Sequence, residues 1–228
     1  ESKYKLANKN TLKDISLNYK KLNSVEKYKL NIDLTNYELI LNEINFQNKL
    51  DEGLYLNINA TKNNKYFEID NFKLFNNKNL FSIKNVKFDK NFKVRDFASI
   101  DAEFYNRKNF KNDISINKRN NLIKVNSNNF DISLNIEENL KNSRKNNFFD
   151  IFENLNSTLK INMKSAKIDK DYSLKNLIGE IVIRNNKIDK TNLTAKFDAK
   201  NNFLYTKDEI DGKKVTTIFS DVAKPFVK

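Results

Sequence analysis

The stretch from Leu174 to Tyr205, LKNLIGEIVIRNNKIDKTNLTAKFDAKNNFLY, decides the fold. Leu177, Gly179, Ile181 and Ile183 fall on one parity until Asn185-Asn186 interrupts them. Leu193, Ala195, Phe197 and Ala199 resume the pattern until Asn201-Asn202 breaks it again. An apolar period of two belongs to a strand with one dry face and one wet face. The same pattern recurs at Tyr28/Leu30/Ile32/Leu34, Leu54/Leu56/Ile58/Ala60, Ile114/Ile116 and Leu159/Ile161/Met163. The chain therefore reads as mainly β: a long, curved antiparallel sheet, open like a half-pipe. Leu54, Leu56, Ile58, Ile181, Ile183, Leu193, Ala195 and Phe197 are expected to line one continuous apolar face.

Three Gly and one Pro are too few to punctuate such a sheet. Asn takes their place, because it tolerates left-handed backbone and hydrogen-bonds its own turn. The pairs Asn63-Asn64, Asn76-Asn77, Asn120-Asn121, Asn128-Asn129, Asn185-Asn186 and Asn201-Asn202 separate the alternating runs. The expected strands are 12–22, 27–34, 37–47, 53–61, 65–75, 80–88, 92–104, 113–117, 122–127, 155–168, 174–184, 187–199, 203–206 and 214–220. Their close spacing favours hairpins over parallel crossovers.

One interval departs from this rhythm. Ile132, Ile136 and Leu140 recur at four-residue spacing, with Asp131 placed to cap a helix, so a short helical insertion is expected near 131–154. The alternation Phe130/Ile132/Leu134/Ile136 keeps a strand reading open. The cluster Phe148-Phe149-Asp150-Ile151-Phe152 is expected to plug one end of the dry face, with a partner-docking role as the alternative. The organisation is thus residues 1–127 as an amphipathic strand meander and 128–228 as a β segment carrying the insertion. Both are expected to be parts of one continuous sheet in a larger protein.

Composition excludes several chemistries. With no Cys and no His, thiolate or imidazole zinc sites, Cys nucleophiles and Ser-His-Asp triads are ruled out. Glu137-Glu138 and Asp208-Glu209 are adjacent pairs that diverge on either a helix or a strand. Asp169-Lys170-Asp171 has the spacing of a calcium loop but lacks its closing Glu. No catalytic, cofactor or metal site is expected. No apolar run approaches the roughly 20 residues of a membrane-spanning helix.

The net charge is +13, from 42 Lys and Arg against 29 Asp and Glu. Such a balance suits nucleic acid or anionic lipid. It also suits a codon bias toward Lys and Asn, with Lys160, Lys164 and Lys196 alternating with apolar neighbours and so covering the wet face. The 18 Phe and 9 Tyr mostly take the parity opposite the basic residues, which argues against a base-stacking groove.

The last hundred residues resemble a known family. The ordered features are Asn129-Phe130-Asp131, Phe148-Phe149, Lys167-Ile168-Asp169, the run Leu174–Ile181, Lys187-Ile188, the strand at 193–197, and Thr216-Thr217-Ile218-Phe219-Ser220-Asp221 leading into Val222-Ala223-Lys224-Pro225-Phe226. This succession looks like the AsmA-like proteins, in their YhdP-like branch. Ala223-Lys224 departs from the Ala-Gly step of many relatives.

The resemblance implies a non-enzymatic, bridge-like lipid transporter akin to TamB. Its sheet would carry phospholipid acyl chains between inner and outer membranes and support outer-membrane biogenesis. It would be periplasmic, anchored to the inner membrane through a segment absent from this chain. The alternative is a structural or adhesive β-repeat segment of a surface or secreted protein, which would close the same apolar parity protein-on-protein. The two readings part on whether that face is open or filled.

Overall fold

The computed structural model describes residues 2–8, 11–35, 37–48, 52–133 and 148–224. The chain forms two compact units, residues 1–109 and 110–228, divided between Asn109 and Phe110. More than half of the described residues lie in strands.

In the first unit the strands are β1 (Ser2–Asn8), β2 (Thr11–Leu22), β3 (Val25–Asp33), β4 (Ile40–Leu41), β5 (Phe46–Gln47), β6 (Tyr55–Lys62), β7 (Phe67–Phe75), β8 (Leu80–Phe88), β9 (Val94–Asp96) and β10 (Ser99–Tyr105). Its sheet runs β1-β2-β3-β6-β7-β8-β10, every neighbouring pair antiparallel, with the short β9 beside β8.

The strand expected at 37–47 does not form. That segment folds back on itself as the β4–β5 hairpin around a 3-10 turn, Asn42–Ile44, closed by Asn45 in the left-handed region. Local Asn chemistry overrides the alternation here. The expected strand 92–104 is likewise split. Phe92 has φ 58, Arg95 sits in a bulge opposite β8, and the Asp96 carboxylate turns back to accept the Phe97 amide.

In the second unit the strands are β11 (Lys111–Arg119), β12 (Leu122–Ser127), β13 (Phe130–Asp131), β14 (Ser157–Lys167), β15 (Ser173–Arg184), β16 (Lys187–Lys196), β17 (Asn202–Ile210) and β18 (Lys213–Ser220). The order is β11-β12-β14-β15-β16-β17-β18, with β13 also against β14. The path is linear, and β18 is an edge. The expectation of hairpins alone is corrected at one joint: β12 and β14 are parallel, in register Leu122 with Thr158 through Ser127 with Met163. A parallel pair needs a long return path, and the segment from 128 to 156 supplies it. Of the helical insertion expected there, residues 134–147 lie outside the described residues. The described remainder holds a 3-10 turn, Phe148–Ile151. Asp131 accepts both the amide and the hydroxyl of Ser133.

The turns follow the chemistry expected of Asn and Asp. Asn185 and Asn186 both have positive φ (48 and 61), as do Asp211 and Gly212 (51 and 72). Each pair is a two-residue hairpin loop that matches the right-handed twist of its strands. Elsewhere an Asx side chain at the turn's start accepts the amides two and three residues on. Asn63, Asn76, Asp169 and Asp198 do this for their own loops. The Asp169 carboxylate is thus a turn-former. Asn176, with φ 51, marks a bulge where β15 inserts one extra residue against β16.

Candidate functional site

In the first unit the alternation of β6 holds: Leu54, Leu56, Ile58 and Ala60 share one face. Their cross-strand partners extend it. Leu56 sits between Ile32 and Leu74, and Ile58 between Leu30 and Phe72. Leu74 and Phe72 continue to Phe81 and Ile83 on β8.

Burial along this face is uneven, with Leu74, Ala60 and Val86 buried as well as the residues at the first end. At one end Leu54 and Phe46 are both 0% exposed and Phe104 is 1% exposed. Phe46 arrives on the β4–β5 excursion and meets Phe81 and Phe104 edge-on, with centroids 5.0 and 6.0 Å away. Asn48 fixes the excursion by accepting the Leu39 amide and donating to the Tyr37 carbonyl. Arg107 ties it down from outside, donating its amide to the Asn45 carbonyl and its guanidinium to the Asn42 side chain.

Toward the other end, Leu30, Leu56, Ile58, Phe72 and Ile83 are only half-buried. The face finishes in Tyr19 and Tyr28, opposite one another with centroids 5.3 Å apart, Tyr19 being 54% exposed. Beyond them lie Lys21, Glu26 and Lys62 on the same parity. Tyr28 donates its hydroxyl to Glu26, which also faces Lys21 and Lys62 at 3.9 and 3.7 Å. That hydrogen bond pushes the Tyr28 phenol up to about 12. The same bond is the main reason the Glu26 carboxyl lies below its ordinary value, and the two lysines add to it.

In the second unit Ile181, Ile183 and Leu193 occupy the apolar face together with Ala195. Ile181 is flanked by Leu159 and Thr191, and Leu193 pairs with Gly179 and Tyr205. Ile123 and Val125 extend the face across β12. Gly179 is required by the backbone: its φ is +147, and a Cβ there would sit 2.0 Å from the Asn192 carbonyl oxygen.

Ile183 is 0% exposed and lies at the end closed by Leu155. Asn186 binds that end, accepting the Leu155 amide and donating to the Phe152 carbonyl. Of the cluster expected to plug the face, Phe149 and Phe152 are half-buried and Ile151 is exposed, while Leu155 just beyond it is buried. Mid-face, Leu159, Ile161, Ile181 and Leu193 are half-buried. Phe197 lies one residue past β16, packed edge-on against Tyr172 and Phe203 at 6.2 and 6.4 Å. There it borders a polar cleft of about 300 Å³ that also involves Lys175 and Asp198. Each unit thus gathers its own expected residues on one face.

Sequence reasoning missed three features. Ser127, Ser157 and Thr191 are buried on the apolar parity of the second unit, so that face is not uniformly greasy. The ionic end beyond Tyr19 and Tyr28 lies on the dry parity, where only apolar residues were expected. Ile178, on the wet parity of β15, is 50% exposed. The last two carry a faint signal in the alternation itself, since Lys21, Lys62 and Ile178 all break it.

On the opposite faces, Lys160, Lys164 and Lys196 are exposed. Lys160 pairs across strands with Glu180 at 3.3 Å. Lys190 meets Asp208 at 2.7 Å; this hydrogen bond raises the lysine's pKa and lowers that of the aspartate. Such exposed pairs are individually worth little. Among the described residues no cluster of three or more carboxylates is placed to hold a metal ion, and no helix is long and apolar enough to cross a membrane. No protein family, no characterised protein and no solved structure matches the chain.

Proposed function

We propose that the apolar faces hold phospholipid acyl chains and that the chain is a lipid-conducting segment of an AsmA-like, YhdP-like bridge protein. On this reading it works without catalysis in the periplasm, moving phospholipid between inner and outer membranes, with its inner-membrane anchor supplied by another part of the protein. The single observation that carries the proposal is a set of half-buried apolar side chains in the middle of each face, beside the buried Leu74 in one unit and the buried Ile123 and Val125 in the other. Leu56 and Ile58 in one unit, and Ile181 and Leu193 in the other, remain partly open to solvent. A closed protein core would bury such side chains. An acyl chain laid along them gains about 0.8 kcal/mol per CH₂ removed from water, with no need for polar contacts.

A photo-crosslinking residue at Leu193 or Ile181 tests this in cells. The expected product is a phospholipid adduct from these positions and none from Asn162 or Lys164 on the opposite face. Protein adducts alone from Leu193 and Ile181 would overturn the proposal.

A structural or adhesive β segment is the second reading, and the closed ends favour it. Phe46 in one unit, and Leu155 with Ile183 in the other, seal one end of each face protein-on-protein. Under that reading the purified chain takes up no fluorescent phospholipid, whereas the lipid reading expects saturable uptake.

A further inference from the structure

Three turns of the first unit stand at the same end of its sheet. They are Asn23-Ser24 between β2 and β3, residues 63–66 between β6 and β7, and residues 89–93 between β8 and β9. The register places them together, because Glu26 pairs with Lys62 and Phe67 pairs with Phe88. At this end of the apolar face Tyr19 is exposed, whereas Ala60 and Val86 are buried.

Two large apolar side chains at this end are exposed: Phe92, in the 89–93 turn, is 74% exposed, and Leu22, the last residue of β2, is 67% exposed. Phe92 is held there by its backbone. Its φ of 58 is an outlier for a bulky residue. Asp89 fixes that loop by accepting the amides of Asn91 and Lys93, while its own amide bonds the Lys93 carbonyl.

The end is also strongly basic. Residues 20–27, 62–68 and 87–96 contain nine Lys and Arg against four Asp and Glu. Glu26 faces Lys21 and Lys62, while Asp89 and Asp96 accept backbone amides, and the three stretches together carry a net charge of +5. The opposite end of the same unit is balanced. Its described turn residues carry Lys78, Arg107 and Lys108 against Glu38, Glu43 and Glu52, with Lys78 paired to Glu52 at 2.7 Å, whereas the turn residues of the basic end carry Lys65, Lys90 and Lys93 against Asp89.

We infer that the end built by these three turns docks on the surface of an anionic lipid bilayer. Phe92 and Leu22 would enter the headgroup layer, and the lysines, Lys65 and Lys90 among them, would face the phosphates. Exposed apolar side chains ringed by ammonium groups suit an interface that is greasy beneath and negative above. A nucleic acid would use the charge but offers no apolar layer for Phe92 or Leu22. The inference concerns a surface and does not need acyl chains to occupy the apolar face.

Vesicle flotation of the purified chain tests it, using phosphatidylcholine vesicles with and without 30% phosphatidylglycerol at low and high salt. Binding is expected only to the anionic vesicles and should weaken as salt rises. Lys65→Glu with Lys90→Glu should reduce it by about tenfold or more. Phe92→Asn, which tolerates the left-handed backbone, should reduce it about fivefold with an unchanged melting temperature.

Lys78→Glu with Lys108→Glu makes the same change in net charge at the opposite end and should leave binding within about twofold. Equal losses from both charge pairs would overturn the inference in favour of overall charge. So would equal binding to neutral vesicles. Full retention of binding by Phe92→Asn, together with tight binding to duplex DNA that the Lys65 and Lys90 changes abolish, would reassign the surface to a polyanion.

Discussion

The Asn186 side-chain oxygen accepts the Leu155 amide at 2.5 Å, while the Asn186 amide donates to the Leu155 carbonyl at 3.1 Å. One residue of a hairpin turn thereby fixes the segment entering β14 against the turn between β15 and β16. Because Asn186 also needs positive φ, its backbone and its side chain have separable jobs. Asn186→Gly keeps the turn conformation but strands the Leu155 amide, and should cost about 1–3 kcal/mol. Asn186→Ala adds the left-handed penalty of about 1 kcal/mol. Chemical denaturation gives both values, and hydrogen exchange should speed at the Leu155 amide in each variant. Equal stability of the Asn186→Gly variant and the wild-type protein would remove the side chain from this role.

Gly179→Ala should be among the most damaging single methyl additions in the chain. The new Cβ would meet the Asn192 carbonyl at 2.0 Å, and φ +147 suits glycine. The atoms it meets are main-chain atoms of a paired strand, so no side chain can swing aside. A loss of about 2–4 kcal/mol is expected, seen as a lower melting temperature and faster amide exchange along β16.

Phe46→Ala removes the side chain that seals one end of the first unit's apolar face. A fully buried Phe with two aromatic neighbours typically costs about 3–5 kcal/mol on truncation. The loss should be larger than that from Phe72→Ala, whose side chain is half-buried. Thermal melts of the two variants decide the order.

Ile183 and Leu193 lie on the same face but should answer differently to a carboxylate. Ile183→Asp places an unpaired charge at a site with 0% exposure and should unfold the second unit. Leu193→Asp, at a half-exposed position, should leave a cooperative melt within about 1–2 kcal/mol of wild type. Loss of folding in both variants would mean that the middle of the face is as closed as its end.

The Tyr28–Glu26 pair predicts where alkali acts. With the phenol raised to about 12 by Glu26, the folded protein holds this proton more tightly than the unfolded chain does. Its contribution to stability is therefore complete below about pH 10 and disappears as pH rises through about 12. Glu26, displaced downward, behaves in the opposite sense, contributing above the ordinary glutamate range and losing that contribution as pH falls through its lowered value. Ultraviolet titration should show a tyrosine ionisation near 12, and Tyr28→Phe should delete that step.

The alternation from Leu174 to Tyr205 made β15, β16 and β17 legible, and their register follows from the Asn pairs between them. Leu54, Leu56 and Ile58 were legible for the same reason. The β4–β5 excursion was not, because Tyr37, Leu39 and Leu41 alternate like a strand while Asn42, Asn45 and Asn48 form local turns that outweigh that period. The parallel joint between β12 and β14 was hidden as well: alternation says which side chains share a face but not which direction the chain runs. The ionic end at Lys21, Glu26 and Lys62 left only the break in alternation as a signal, since Lys62 is distant in sequence and joins Lys21 and Glu26 only through the pairing of β3 with β6.

The linear strand order of each unit also sets how damage spreads. Among the described residues, each strand from β15 to β18 is hydrogen-bonded to its immediate neighbours in sequence and to no distant one, so this run behaves as a one-dimensional zipper in which the interfaces between strands add nearly independently. A lesion at the β17–β18 hairpin should fray the ladder from its edge inward and leave β14 and β15 paired. Lengthening the ladder by a further hairpin at β18 would require no repacking of the strands already in place. Growth by repetition and failure by peeling are then two directions of the same process.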